Sequence, residues 1–567
     1  MRVGLFLIAV LINLNIWSQN SGDYPLDIPI ILSSSFGELR PNHFHAGIDI
    51  KTKGIEGFKI YSIGDGYISR LQITHGGNGK AIYIKHDNGQ SSVYAHLQKF
   101  SPRIEKIVKE IQYTNQSYTF RKYPKKNEFR ISSKEMIGLT GNTGRSTAPH
   151  LHYELRDEKD RPINPMKFKS YSVNDTISPI LLGVFYKNFR IDNKGAFQYD
   201  QSGFSKLKIK KINSSLYIAD TLKTNGFISF GVNSYDKMNN TQNKMGLSKI
   251  ISKNNGKIIF EIDFNKFSFD EWHHINNFID YSTYKKSNFR IQKLFIEDSN
   301  PLSMYKRDLG NGIIEIKNED LTSIYNIKLY DYNDNLTEVL IPITAIEKSY
   351  DEGKKIGLKD IVKINNDSTY KFDLNNSSIH ISKNTFYHNT AIEIYNKEEI
   401  LHVDQDTIPL LKPITIKFDV KRYNESMKDR MFVAKIGKEN NYSFISNKRD
   451  NDKIIAKIKT LGDYKIKLDT IPPSIKILNL EDNQWVSNLK KLKVYISDKS
   501  SGIKSYNGWI NDKWILLEYN PSKGLLTYDF NDNINSSNTR NDLSIKIEDN
   551  AGNISELNKV FYREIKW

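Results

Sequence analysis

The chain has 567 residues and a mass of 65.7 kDa, too long for one ordinary hydrophobic core, so we expect three or four domains. Its 38% hydrophobic and 12% aromatic residues are typical of a folded protein and exclude a mainly disordered, collagen-like or low-complexity chain. A mean hydropathy of -0.54 excludes a polytopic membrane protein. The lack of cysteine excludes a disulfide scaffold, a thiol nucleophile and cysteine-ligated zinc.

The chain is basic, with a formal net charge of +17. Its lysines are spread along the whole sequence, whereas a nucleic-acid binder is expected to show a clustered basic footprint. We therefore predict no nucleic-acid partner. The positive charge either reflects the general amino-acid usage of the source or helps the protein adhere to an anionic surface such as a cell wall.

The N-terminus predicts export. A short positive start, Met1–Arg2, precedes the apolar run Val3–Ile12, and the sequence turns polar before Ser18–Gln19. The run is too short for a permanent membrane span, so we interpret residues 1–19 as a cleaved signal peptide, with an uncleaved anchor as the alternative. We expect the mature protein to have no integral membrane span and to act in the periplasm, the cell envelope or outside the cell.

Residues 20–170 form the first predicted domain. Short β-branched or alternating runs separated by Gly, Asn and Asp indicate strands and hairpins. One helix is predicted at 101–112, where Ser101 can cap, Pro102 suits the first helical position and apolar residues recur on one face.

The rest of the chain is rich in strand-like runs with weak internal repeats. Asp175-Thr-Ile-Ser-Pro179 recurs as Asp469-Thr-Ile-Pro-Pro473, and three strands end in Asp/Asn turns that begin at Asp236, Asp331 and Asp549. We predict Ig-like β-sandwich modules at 174–345 and 468–567 and a β-rich module at 346–467. The Asp/Asn turns either bind calcium or are structural, and we favour structural turns because they lack the dense carboxylates of a calcium loop.

Histidines are concentrated in the first domain, where seven of the 12 lie between residues 43 and 152. In an extended His45-Ala-Gly-Ile-Asp49, His45 and Asp49 share a face, and in His150-Leu-His152 the two imidazoles do so. Three such N/O ligands and a water make an open zinc site of the catalytic kind, and a further histidine remains for proton transfer. The residues alone do not decide which three of these four side chains bind the metal.

These stretches resemble the M23 (LytM/lysostaphin-type) zinc metallopeptidases. The resemblance covers about 40–165 and includes Asn42-His-Phe-His-Ala-Gly-Ile-Asp-Ile50, Tyr94-Ala-His-Leu97 and Pro149-His-Leu-His-Tyr-Glu-Leu155. It implies an antiparallel β-sheet peptidase domain in which His45, Asp49 and His152 ligate Zn²⁺. It also implies that His150 and His96 are catalytic and that the substrate is a peptide of bacterial peptidoglycan.

The stretch between His96 and Gly138 is long for that family. It holds the predicted helix and then residues 113–130, rich in aromatic and basic side chains. This stretch either walls the substrate cleft or forms a surface excursion that packs its own aromatics.

The resulting hypothesis is an exported zinc metalloendopeptidase whose C-terminal β modules contact the cell wall or envelope proteins. The multi-module architecture is similar to exported proteins of the Bacteroidetes type. The rival hypotheses are a peptidase-like wall-binding module or amidase activator, and an adhesin without hydrolysis. The complete set of His45, Asp49, His96, His150 and His152 favours the enzyme, because binding alone does not require it.

Overall fold

The computed structural model describes residues 24–171, 173–191, 197–198, 203–317, 322–346, 361–532 and 539–564. The predicted signal peptide, residues 1–19, lies outside the described residues. The described chain is mainly β, built from mostly antiparallel sheets, as the sequence predicts. None of its helices is both long and apolar enough to cross a membrane.

The N-terminal domain is built on one nine-stranded antiparallel sheet with the order β1-β4-β13-β8-β7-β6-β10, in which β14 pairs with β13 and β11 with β6. A three-stranded sheet (β5-β12-β9) and the β2-β3 pair complete it. Its strands are β1 Leu32–Ser34, β2 Leu39–Arg40, β3 His43–Phe44, β4 Ile48–Lys51, β5 Lys59–Tyr61, β6 Gly66–Ile73, β7 Lys80–His86, β8 Ser91–Ala95, β9 Lys99–Phe100, β10 Phe120–Lys122, β11 Arg130–Ile131, β12 Met136–Leu139, β13 His150–Arg156 and β14 Pro162–Ile163.

Strand β13 lies between β4 and β8, and its register places His152 opposite Asp49 on one side and Ala95 on the other. The alternate residues Ile48, Ile50, Leu151 and Tyr153 are fully buried and fix which face of these strands turns to the core. Gly47 is required here, because a Cβ at this position would lie 2.2 Å from the carbonyl oxygen of Tyr153.

Among the described residues, the one long helix is α1 (Pro102–Asn115), three residues longer at its C-terminus than predicted. Ser101 is its extended N-cap residue, but its side chain makes no capping hydrogen bond. The helix ends where Gln116 adopts a left-handed conformation with φ 46°. Its buried face, with Ile104 and Val108, packs on the core as the apolar spacing predicts.

The second module consists of a six-stranded and a seven-stranded sheet. Its strands and helices are β15 Ile180–Ile191, β16 Phe197–Gln198, β17 Ser205–Leu207, β18 Ile209–Lys211, β19 Leu216–Ala219, β20 Leu222–Thr224, β21 Gly226–Tyr235, β22 Lys249–Asn254, β23 Lys257–Asp263, α2 Ile275–Phe278, α3 Tyr281–Ser287, β24 Gln292–Lys293, β25 Ile314–Ile316, β26 Ser323–Tyr330 and β27 Leu336–Ala345. One hydrophobic cluster runs from the peptidase-like domain into this module, where Phe44 contacts Phe264, Phe267 and Phe278.

The last two modules each place two sheets around a core of their own. The elements of the third are β28 Ile361–Ile364, β29 Tyr370–Leu374, β30 Ser377–Ile381, β31 Thr390–Lys397, β32 Ile400–Val403, β33 Ile414–Asp419, α4 Glu425–Lys428, β34 Met431–Ile436, β35 Tyr442–Ile445, β36 Asn447–Asp450, β37 Lys453–Ile458 and β38 Gly462–Leu468. Those of the fourth are β39 Ser474–Ile477, β40 Gln484–Trp485, β41 Lys491–Ser497, β42 Ile503–Ile510, β43 Lys513–Trp514, β44 Glu518–Asn520, β45 Leu525–Asp529, β46 Arg540–Asp549 and β47 Ile554–Tyr562.

The fourth module folds back onto the first domain. The buried Lys80 pairs with Glu518 at 3.2 Å, and Lys109 of α1 pairs with Asp532 at 2.5 Å. Tyr113 stands edge-on to Trp514 at 5.5 Å between ring centroids. The first domain and the fourth module are therefore in contact.

Candidate active site

Three side chains converge at a buried point between β4 and β13. His45 Nε2 lies 3.1 Å from His152 Nδ1, and Asp49 Oδ1 lies 3.1 Å from the first and 2.9 Å from the second. All three side chains are buried. The structure thus brings together the three residues that the resemblance assigns to the metal.

The outer nitrogens of the two imidazoles are both occupied. His45 Nδ1 lies 2.8 Å from the carbonyl oxygen of Ser35, to which it donates, and His152 Nε2 lies 2.9 Å from Glu154 Oε1. A neutral imidazole that donates through one nitrogen presents a lone pair on the other. In the singly protonated form that ligates a metal, both inner nitrogens therefore direct lone pairs at the point that Asp49 also faces.

This donor set suits a zinc ion. Two imidazole nitrogens and one carboxylate oxygen lie 2.9–3.1 Å from one another, a few tenths of an ångström less than the edge of about 3.3–3.6 Å of a tetrahedron with metal–ligand distances of about 2.0–2.2 Å. Three ligands leave a fourth position open, which is typical of catalytic zinc. The Glu154 and Ser35 contacts are the outer partners that orient ligating histidines.

The charged side chains around the three donors form close ion pairs. Arg156 pairs with Glu154 at 2.6 Å, and Arg40 donates to Asp49 Oδ2 at 3.1 Å. Burial raises the pKa of Glu154, but Arg156 and His152 outweigh it and lower that pKa to about 2. For Asp49, burial is likewise outweighed by His45 and His152, which hold its pKa well below its usual range.

The protonation of His152 shows what a cation does in this pocket. Burial lowers the pKa of His152, but hydrogen bonds to Asp49 and Glu154 outweigh it and raise that pKa to about 9. Without a metal, the ring therefore holds a second proton between the two carboxylates. A metal ion held by His152 and Asp49 would displace that proton.

His96 and His150 lie beside the three donors, with ring centroids 4.8 Å apart. His96 Nδ1 donates to the carbonyl oxygen of Thr143 and His150 Nδ1 to that of Ala148, each at 2.8 Å. His150 Nε2 lies 3.6 Å from Asp49 Oδ1, so it faces the site. Burial, reinforced by the other histidines, lowers the pKa of His96 to about 3, and burial also lowers the pKa of His150. Both rings are neutral bases at physiological pH.

Sequence reasoning missed the outer residues Arg40, Glu154 and Arg156. Glu154 and Arg156 could have been predicted from the sequence, because they continue the alternation that places His150 and His152 on one face of β13. Arg40 could not have been predicted in this way, since no local sequence pattern indicates the β2–β3 pairing that brings it near Asp49.

The long stretch after α1 lies away from the site. Strands β10 and β11 pair with β6, and β7 and β8 separate β6 from β13. Tyr118 is buried and stacks on His75 at 5.7 Å. This placement favours a surface excursion over a wall of the cleft, although Tyr118 and Tyr113 pack on His75 and Trp514 and not on aromatics of the stretch itself.

Fold and site together define a candidate metallohydrolase centre on an antiparallel sheet. Residues 43–117 match the family model "Peptidase family M23", and residues 361–469 match "Zu5-like domain". The N-terminal domain is thus similar to peptidase family M23, as the sequence motifs predict.

Curated relatives that match this chain are named as peptidases or metalloproteases. The chain is 32% identical over 156 residues to DD-carboxypeptidase/endopeptidase Mpg of Neisseria meningitidis serogroup B, which covers 26% of this chain and 30% of that protein. It is 33% identical over 150 residues to peptidoglycan DD-endopeptidase ShyA of Vibrio cholerae, with 25% of this chain and 29% of that protein covered. The chain thus matches less than a third of the length of each relative.

Among solved structures, the catalytic domain of the antimicrobial peptidase lysostaphin from Staphylococcus simulans is similar. It is 22% identical, and the match covers 24% of this chain and 91% of that chain with a TM-score of 0.19.

Proposed function

We propose that this protein is an exported zinc metalloendopeptidase that hydrolyses peptide bonds of bacterial peptidoglycan. The observation that carries the proposal is the convergence of two imidazole nitrogens and a carboxylate oxygen, with two neutral histidines beside them. The similarity to ShyA, which is named as a peptidoglycan DD-endopeptidase, supports the substrate class.

In this mechanism, His45, Asp49 and His152 hold the zinc ion. When bound, zinc polarises a carbonyl and activates a water. His150 and His96 keep their protons on Nδ1, where backbone carbonyls accept them, so Nε2 of either ring is free to take a proton from the attacking water. The same nitrogen then returns a proton to the leaving amine.

The burial of the histidines supports this role. A base must be neutral at working pH, and burial keeps both pKa values below neutrality. His96 has a left-handed backbone (φ 61°), and the Thr143 carbonyl fixes its ring. Such positioning lowers the cost of orienting a base during the reaction.

The test is a digest of purified sacculi with zinc-loaded protein and its variants, read by mass spectrometry of released muropeptides. We expect new peptide termini with the unmutated protein and with the matched control His273→Ala, whose histidine lies in the second module. We expect none with His152→Ala. Equal cleavage by His152→Ala contradicts the metal site.

A zinc measurement separates ligands from bases. We expect His152→Ala to lose bound zinc, and His96→Ala and His150→Ala to keep it while losing cleavage by roughly 10²-fold or more. A zinc-loaded, folded protein that cuts no sacculi supports instead the peptidase-like binding module or amidase activator.

A further inference from the structure

Three carboxylates of the second module meet at a point outside the peptidase site. Asp175 lies in the segment that leads into the module, Asp236 follows β21 and Asp331 follows β26. Each offers an oxygen, and these oxygens lie within 4.8 Å of one another. The three residues are 5%, 0% and 1% exposed, so water solvates them little.

Three of the six oxygens of these carboxylates lack a hydrogen-bond partner among the described residues. Both carboxylate oxygens of Asp236 and Oδ2 of Asp175 are buried without a hydrogen-bond partner. No ion pair found among the described residues involves any of the three aspartates. Burying an uncompensated carboxylate is costly, and three together are more so. Burial and repulsion from Asp331 and Asp175 raise the pKa of Asp236 to about 9, and the Lys237 amide offsets little of this.

The loops hold the other oxygens in place. Asp331 Oδ1 accepts hydrogen bonds from the amides of Asn333 and Asn335, each at 2.8 Å. Asn335 Nδ2 donates both to Asp331 Oδ2 at 2.7 Å and to the Asp175 carbonyl at 3.0 Å. The segment that carries Asp175 and leads into the second module, here called the linker, is therefore joined to the β26–β27 turn at this point.

The fourth module has a similar aspartate triad, formed by Asp469, Asp498 and Asp549. It differs in its hydrogen bonds, because none of its oxygens is buried without a partner. Asn553 Nδ2 bridges Asp549 Oδ2 and the Asp469 carbonyl as Asn335 does in the second module. Asp469 Oδ2, however, accepts from the Ser501 amide, and Asp498 Oδ1 accepts from two amides. No oxygen of this triad is buried without a partner, so the triad serves as an internal comparison.

We propose that Asp175, Asp236 and Asp331 bind one calcium ion, which fastens the linker to the second module. Carboxylate oxygens without nitrogen or sulfur donors suit a hard cation, and calcium accepts the irregular geometry that loops offer better than magnesium does. Backbone oxygens and water complete its six to eight ligands. This assignment replaces our sequence-based preference for a purely structural turn at these two loops.

Titration calorimetry with calcium chloride on the zinc-loaded chain tests the site, with magnesium chloride for comparison. The variant is Asp236→Asn and the matched control is Asp498→Asn in the triad of the fourth module. We expect a calcium-binding component that weakens at least about tenfold in Asp236→Asn and persists in Asp498→Asn, since losing one charged ligand weakens a calcium site strongly.

Thermal melting distinguishes a ligand from an ordinary structural aspartate. Without calcium, Asp236→Asn should melt at or above the unmutated chain, because the amide removes repulsion. With calcium, only the unmutated chain and Asp498→Asn should gain melting temperature. The proposal is overturned if the unmutated chain binds no calcium at about 10⁻³ M, or if Asp236→Asn keeps the calcium-dependent gain.

Discussion

At the scale of single residues, the carboxylate behind His152 matters as much as the ligands. Glu154 accepts from His152 Nε2 and is itself held by Arg156, so the ring is fixed with Nδ1 toward Asp49. A carboxylate in this position fixes the tautomer and raises the basicity of the ligating nitrogen. Glu154 is therefore a positioning residue for the proposed zinc site.

Glu154→Gln should weaken zinc binding by about 10- to 100-fold, because a neutral amide orients the ring but no longer raises its basicity. Competition with a chromophoric chelator measures the affinity. Glu158→Gln, four residues along and exposed, is the matched control and should bind zinc normally. Unchanged affinity in Glu154→Gln would show that Glu154 does not act on His152.

At the scale of elements, the site depends on how closely the segment before β4 approaches β13. The backbone at Gly47 lies against Tyr153 and Glu154, and a methyl group there would meet the Tyr153 carbonyl at 2.2 Å. Neither strand can move away, since Ile48 and Leu151 are fully buried in the core on the other face. The close approach sets the separation of His45 and Asp49 from His152.

Gly47→Ala should destabilise the first domain by about 1–3 kcal/mol, as expected of overpacking against a rigid backbone. It should weaken zinc binding as well. Thermal melting and zinc titration check both effects. Gly76→Ala is the control, because a methyl group there meets nothing within 4 Å; equal behaviour of the two variants would contradict the packing argument.

Much of this element-scale arrangement could be predicted from the sequence. Alternation of polar and apolar residues correctly assigned His150 and His152 to one face and Leu151 and Tyr153 to the other. Contacts between distant segments left no such pattern. The aspartate triad is an example, because Asp175 and Asp331 meet only after the second module has folded.

At the scale of the whole molecule, Lys80 and Glu518 hold the fourth module against the first domain. The ammonium of Lys80 is buried and reaches Glu518 and the Gln98 carbonyl, at 3.2 and 3.3 Å. Thr143, whose carbonyl orients His96, lines the same cavity of about 360 Å³. The fourth module therefore touches residues next to the proposed base.

Glu518→Gln should weaken this attachment by about 2 kcal/mol, because it leaves a buried ammonium without its counter-charge. Glu556→Gln, which breaks an exposed pair with Lys546, should cost less than about 1 kcal/mol. Limited proteolysis and thermal melting report release of the module. Equal losses would mean that the Lys80 pair contributes no more than a surface pair.

A second buried charge joins the second and third modules. Glu297 contacts Lys293 and His388, at 2.5 Å each. Burial raises the pKa of Glu297, but Lys293 and His388 outweigh it and lower it to about 2. A depressed carboxylate pKa stabilises the fold above the ordinary value of 4.5, and this stability is lost as the pH falls towards about 2.

Glu297→Gln should therefore cost about 3 kcal/mol at neutral pH. The difference from the unmutated chain should shrink as the pH falls from 4.5 towards about 2. Denaturant unfolding across this range measures it. A difference that does not change with pH would show that the charge of Glu297 is not what stabilises the junction.

The segment that orients His45 is shared between two domains. The Gly246 amide donates to Ser35 Oγ at 2.8 Å, and the Tyr332 hydroxyl donates to the Phe36 carbonyl at 2.5 Å. Both donors belong to the second module, and both sit beside loops that carry Asp236 or Asp331. Transplanting the first domain into another protein would therefore need the second module as a scaffold, since a graft cut near residue 170 would keep the Ser35 carbonyl that holds the His45 ring but lose the two donors that hold Ser35 and Phe36.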